Sequence, residues 1–193
     1  MQRNILLLLV FLSLSAVVWL DKNIIHHDKP VANEQKTSLG DWDKYNGKSF
    51  IVVKVVDGDT IDINIPDGNY ANTRIRLLGV DTPETEKSPS GAMYYGKEAS
   101  EFTSKTALGQ KVVVVMDEKS KLRDKYHRLL CHIKLANGRI LNEELITTGC
   151  AYADTRFPHS YYEKYVRLEE AARKEKKGLW GKITIEQMPK WKN

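Results

Sequence analysis

Residues 49–78 alternate apolar and polar side chains in three short runs separated by glycine-bearing turns. The first, Ser49-Phe50-Ile51-Val52-Val53-Lys54-Val55-Val56, is rich in β-branched residues and ends at Asp57-Gly58, a turn signal. The second, Thr60-Ile61-Asp62-Ile63-Asn64-Ile65, alternates strictly, so its isoleucines face one side. Pro66-Asp67-Gly68-Asn69 is the next turn. Thr73-Arg74-Ile75-Arg76-Leu77-Leu78 then alternates again. This pattern predicts a meander of three strands, with Arg76 on the face opposite Ile75 and Leu77.

The rest of the chain mixes the two periods. Residues 96–108 read as a helix with Ala99, Phe102 and Ala107 near one side and Gly109 after it. Residues 110–116, with four consecutive valines, and 126–135, ending at Asn137-Gly138, read as strands. Asn142 reads as the N-cap of a short helix that stops at Gly149. Ser160-Tyr161-Tyr162-Glu163 has capping-box spacing and opens the last helix. Tyr161, Tyr165, Leu168 and Ala172 form its apolar stripe, read as core contacts, and Gly178 sits at a C′ position. The run Arg173-Lys174-Glu175-Lys176-Lys177 reads as a solvated face that complements the helix dipole. The expectation is a β-dominated α+β domain: a five-stranded barrel of OB type with three helices. Strand count alone leaves its topology open.

Composition fits a folded domain. Of the chain, 41% is hydrophobic and 28% charged, too apolar for a disordered chain. The formal charge of +5 suits a polyanionic partner. Only Cys131 and Cys150 are present, with no C-x-x-C spacing. That argues against a zinc site or redox motif and leaves a disulfide and two buried thiols both open.

Four stretches divide the chain. Residues 1–20 are a targeting segment: Arg3, then an apolar run over residues 5–20. Ser13, Ser15 and Ala16 offer small residues for cleavage of a signal peptide, whereas the continuation through Val17, Val18, Trp19 and Leu20 suits an uncleaved membrane anchor. Both predict an extracytoplasmic domain, secreted or tethered to the membrane. Residues 21–47 read as a polar linker, in which His26-His27 is a solvated pair. Residues 48–182 form the domain, and 183–193 a tail.

The chemistry lies in two carboxylate turns and two arginines. Asp59 and Asp81 each stand at a strand–turn junction, where side chains from different strands converge. Oxygen donors without cysteine or histidine argue for calcium or magnesium over zinc. Arg76 and Arg128 are suited to bidentate phosphate contact. Glu84, just past the stiff Pro83, is placed to orient or deprotonate a water. Lys125 and Tyr126 precede Arg128 and can hold a terminal phosphate. Singly, each motif is an ordinary turn, helix entry or surface residue; in this order within residues 57–128 they point to a metal-dependent nuclease.

Three segments, Val-Val-Asp-Gly-Asp-Thr from Val55, Arg-Leu-Leu-Gly-Val-Asp-Thr-Pro-Glu from Arg76 and Asp-Lys-Tyr-His-Arg from Asp124, resemble those of the staphylococcal nuclease (thermonuclease) family. Weaker matches at Tyr95-Gly96-Lys97-Glu98-Ala99, Asn142-Glu143 and Gly178-Leu179-Trp180 extend the resemblance over residues 50–180. It implies an OB barrel with three helices and a Ca2+-dependent endonuclease acting on DNA and RNA, single-stranded or frayed, to leave 3′-phosphates. It implies calcium ligands at Asp59, Asp81 and the Thr82 carbonyl, and action of Glu84 on the attacking water. Arg76 and Arg128 would bind the scissile phosphate, and Lys125 and Tyr126 the other phosphate. No protein partner is implied.

Two departures stand out. Asp154-Thr155-Arg156-Phe157 lacks the base-flanking tyrosines of the family prototype, leaving Phe157 as the stacking candidate, and His127 stands where that prototype has glycine. The alternatives are a catalytically weak nucleic-acid-binding module of the same fold, which the full residue set disfavours, and a calcium-stabilised structural domain.

Overall fold

Strands β1 (Ser49–Asp57), β2 (Thr60–Ile63) and β3 (Thr73–Leu77) form the expected meander, each antiparallel to the next. Further strands are β4 (Val80–Asp81), β5 (Lys111–Val115), β6 (Leu129–Lys134) and β7 (Tyr152–Ala153). The barrel closes in the order β1-β2-β3-β6-β5, β3 and β6 running parallel, while β4 and β7 make a separate two-stranded ribbon. Three α-helices follow in chain order: α1 (Gly96–Ala107), α2 (Leu141–Thr147) and α3 (Tyr162–Lys174). This is the five-stranded OB-type barrel with its helices, in a computed structural model that describes residues 40–86 and 91–192. The expected targeting segment 1–20 and most of the expected linker 21–47 lie outside the described residues. No helix among the described residues is long and apolar enough to cross a membrane.

Alternation explains the core. Ile61, Ile63, Ile75, Leu77, Leu129 and Ile133 are at most 1% exposed; burying each such side chain contributes about 1.5–3 kcal/mol. On the opposite face of β3, Arg74 pairs across the strands with Asp62 at 2.8 Å, and Arg76 stays half-buried. Tyr161, Tyr165 and Leu168 pack on the core, as the stripe predicts. Cys131 and Cys150 are both free and buried.

Several local readings are corrected. The folded unit begins at Asp41, inside the expected linker. A helical turn ending at Tyr45 buries that ring completely, its hydroxyl sharing a 2.9 Å hydrogen bond with Thr73 Oγ1. Asp41 pairs with Arg123, which also grips Asp67. The fifth barrel strand starts at Leu129, not 126, because the Asp124 carboxylate accepts the main-chain N–H of Tyr126 and Arg128 and closes a turn there. His127 sits in that turn at φ 62, where glycine is the least strained residue.

Ser160 is no cap: its hydroxyl and N–H both go to Asp117, and α3 starts two residues later. Nor is Gly178 the C′ residue of α3, which ends at Lys174 with Lys176 taking the left-handed turn; Gly178 opens a 3-10 turn packed on Gly149. The tail reading of 183–193 also fails in part, because a 3-10 turn (Ile185–Gln187) and Trp191 lie against the domain.

Asn142 is not the N-cap of α2; Ile140 is. Its fully buried amide instead accepts from the Ile133 N–H at 3.0 Å and donates to the Leu78 carbonyl at 2.9 Å, tying α2 to β6 and to the end of β3. Truncation leaves two main-chain groups without partners, at roughly 1–3 kcal/mol each. Asn142→Ala is therefore expected to lose about 2–5 kcal/mol of stability, read as a lower midpoint in urea unfolding at unchanged slope.

Candidate active site

Asp57-Gly58-Asp59 closes the β1–β2 hairpin, and Gly58 leaves room for the Thr82 side chain, which a Cβ would meet at 2.8 Å. That close approach brings the turn against the loop after β4. Asp59 Oδ2 accepts the Thr82 main-chain N–H at 2.8 Å and its hydroxyl at 3.0 Å, while Oδ1 accepts the Thr60 hydroxyl at 3.0 Å. The hairpin and the loop are thus joined through one carboxylate.

Arg76 lies between the two aspartates. Its Nη1 is 2.9 Å from Asp59 Oδ2 and its Nη2 is 2.5 Å from Asp81 Oδ1. Nη1 also donates to the Val80 carbonyl at 2.7 Å. Asp59 and Asp81, remote in sequence, therefore face one guanidinium. Glu84 follows in the same loop. Its carbonyl accepts the Met93 N–H at 2.9 Å, and Gly96 packs so closely that a Cβ would come within 2.1 Å of that oxygen.

The charge balance of this cluster is negative. Burial, then the charges of Asp59 and Glu84, push the Asp57 carboxyl up to about 6 against the Gly58 N–H it accepts. Burial likewise pushes the Asp81 carboxyl up to about 6, with Asp59 adding to the effect and Arg76 opposing it. Asp57, Asp59, Asp81 and Glu84 thus outnumber the guanidiniums of Arg76 and Arg156 beside them. The donors are all oxygen, and crowded carboxylates short of counter-charge are relieved by a hard divalent cation. The residues present fit calcium or magnesium.

Arg128, Lys125 and Tyr126 form a second group at the entrance to β6. Arg128 is paired with Asp124, Nη2 to Oδ2 at 2.6 Å, and its guanidinium and the Lys125 ammonium both lie near the exposed Tyr126 ring. Among the described residues, Arg128 makes no hydrogen bond or ion pair to Asp59 or Asp81. The β3–β6 register sets Leu130 beside Arg76, which puts Arg128 two residues before that level.

Three residues, Asp57, Arg156 and Trp191, escaped the sequence reading as site members. Asp57 was visible as the first acid of its turn but carried no role. Arg156 sits 3.2 Å from Asp81 Oδ2 and is held by Asp154 at 2.8 Å. Trp191 donates its indole N–H to the same Asp81 oxygen at 3.0 Å, with the Arg156 guanidinium over its ring at 4.2 Å. No local pattern marks a tryptophan 110 positions from its partner. Phe157 is 57% exposed, open to stacking.

The family described as "Staphylococcal nuclease homologue" matches residues 74–182, which takes in Arg76, Asp81, Thr82, Glu84 and Arg128. A thermonuclease of Staphylococcus hyicus is 38% identical over 136 residues, covering 70% of this chain and 77% of its own. An uncharacterized protein of Methanocaldococcus jannaschii is 32% identical and covers 91% of this chain and 92% of its own length. Endonuclease YhcR of Bacillus subtilis is 34% identical over 165 residues, 79% of this chain but 13% of that larger protein.

Proposed function

The chain belongs to the staphylococcal nuclease homologue family, and on that premise we propose that it is an exported, calcium-dependent, sugar-nonspecific endonuclease that leaves 3′-phosphate ends on DNA and RNA. Its relatives support a nuclease acting on nucleic acid. The observation that carries the finer reading is Arg76 bridging Asp59 and Asp81 beside a surplus of carboxylate oxygens. Export rests on the apolar run of residues 5–20 alone.

Asp59, Asp81 and the Thr82 carbonyl are assigned to the calcium ion, which when bound supplies neutralising charge to a phosphate oxygen. Asp59 has its Oδ1 engaged by a single hydroxyl and so retains accepting capacity. Glu84 takes a proton from water as the water oxygen attacks phosphorus and the P–O5′ bond breaks, the leaving O5′ taking a proton from solvent to become the 5′-hydroxyl. Arg76, fixed by flanking carboxylates, presents its remaining N–H groups to the equatorial oxygens, whose charge grows in the transition state. Arg128 serves the same phosphate. For that it exchanges Asp124 for the phosphate, a swap between two anionic partners at a partly exposed group. Lys125 and Tyr126 bind the neighbouring phosphate.

The test is degradation of single-stranded DNA and of RNA by the purified chain in calcium, magnesium or chelator. Both substrates should be cut in calcium, with 3′-phosphate termini, and neither in chelator. Cutting in chelator, or 5′-phosphate termini, would overturn the reading.

A further inference from the structure

Outside the carboxylate cluster, three buried side chains converge from separate elements. Asp117 follows β5, His132 lies on β6 and His159 precedes α3; each is at most 4% exposed. We propose that Asp117, His132 and His159 form a second metal site, for a divalent first-row transition ion and zinc above all, which clasps the loop before α3 to the barrel.

Each side chain brings one ligand atom within 4.8 Å of the other two. Movements of under about 1 Å bring such atoms to the 2.0–2.2 Å of zinc–nitrogen and zinc–oxygen bonds. His132 Nε2 and Asp117 Oδ2 are 3.4 Å apart, too long for a good hydrogen bond. His159 Nδ1 is buried and lacks a hydrogen-bond partner among the described residues. A buried imidazole nitrogen left so costs free energy that a metal ligand bond would recover. The ring's position is imposed, because Gly79 offers no Cβ where one would sit 2.4 Å from Nε2.

The surroundings resemble a metal site's outer partners. Tyr165 OH and His132 Nδ1 share a 2.8 Å hydrogen bond, which leaves Nε2 as that ring's ligand atom. Asp117 accepts from the Ser160 N–H at 2.7 Å, the Ser160 hydroxyl at 3.0 Å and the Lys119 N–H at 2.9 Å. One carboxylate with two imidazoles is a donor set for zinc. An open depression of about 490 Å³, lined in part by Lys119, Pro158, His159, Ser160 and Tyr162, gives an ion an entry path beside His159. The expectation against zinc rested on cysteine spacing, which does not reach a site assembled from positions 117, 132 and 159.

The proposal is independent of the nuclease reading, and its test has no activity readout. The full chain, with His26 and His27 replaced by alanine and calcium saturating, is titrated with cobalt(II). Expected are visible d–d bands of a four-coordinate complex at about one ion per chain, displaced by zinc. They should be absent in His159→Gln and retained in Asp59→Asn. Saturating zinc should raise Tm by roughly 5–10 °C. Should His159→Gln not fold, imidazole NMR of the parent decides: His132 and His159 resonances shift with the first equivalent of zinc. A titration without such bands, or shifts confined to His127, would overturn the proposal.

Discussion

Glu84→Gln is expected to lower kcat by roughly 10²–10⁴-fold, the usual worth of a positioned general base, while KM and the urea midpoint stay near their starting values. Glutamine keeps the shape of the side chain and loses only the basic oxygen. The main chain at this position is pinned by the Met93 N–H and covered by Gly96, so the substitution does not move the loop. The carboxylate also lies near enough to Asp57 to help raise that group's pKa. Neutralising it removes repulsion from a crowded cluster, so folding gains if it changes at all. A base acting only in the transition state predicts this split between kcat and KM. Full activity in the variant would remove Glu84 from the mechanism, whereas a parent that binds nucleic acid without cutting it would favour a binding module of the same fold.

How much was readable beforehand follows from the range of each signal. Strict alternation around Ile61, Ile63, Ile75 and Leu77 announced the meander because a period of two is written in adjacent residues. Asp59, Arg76 and Asp81 were legible because each sits at the mouth of a turn defined by its neighbours. What the chain hid is long-range and polar. Asn142 looks like a cap until the barrel wraps it and hands its amide two buried main-chain partners. Ser160 has capping-box spacing, but Asp117, 43 residues earlier, takes both its donors. Arg128 has the right type, yet nothing local said that Asp124 would hold it. Trp191 reaches Asp81 only after the C-terminal segment folds back.

Arg76→Gln is expected to abolish measurable cleavage and, separately, to make stability strongly calcium-dependent. In metal-free buffer the cost should be about 3–5 kcal/mol, the penalty for removing one partner from a buried ion pair. The arginine side chain is 14% exposed and faces Asp59 and Asp81 at once, so two carboxylates lose their shared cation. Glutamine returns part of the hydrogen bonding to the Val80 carbonyl but none of the charge. Calcium then binds the variant against less competition, because the guanidinium no longer offsets the same oxygens. Mass action converts that tighter binding into stability, so saturating calcium should close most of the gap in urea midpoint. Two effects on the parent oppose each other: the arginine stabilises the empty cluster and weakens its hold on a cation. If the carboxylates are the cation's ligands, the variant gains more from calcium than the parent does. An equal gain in both, or none in either, would separate Arg76 from the ion and leave its pairing as part of the fold alone.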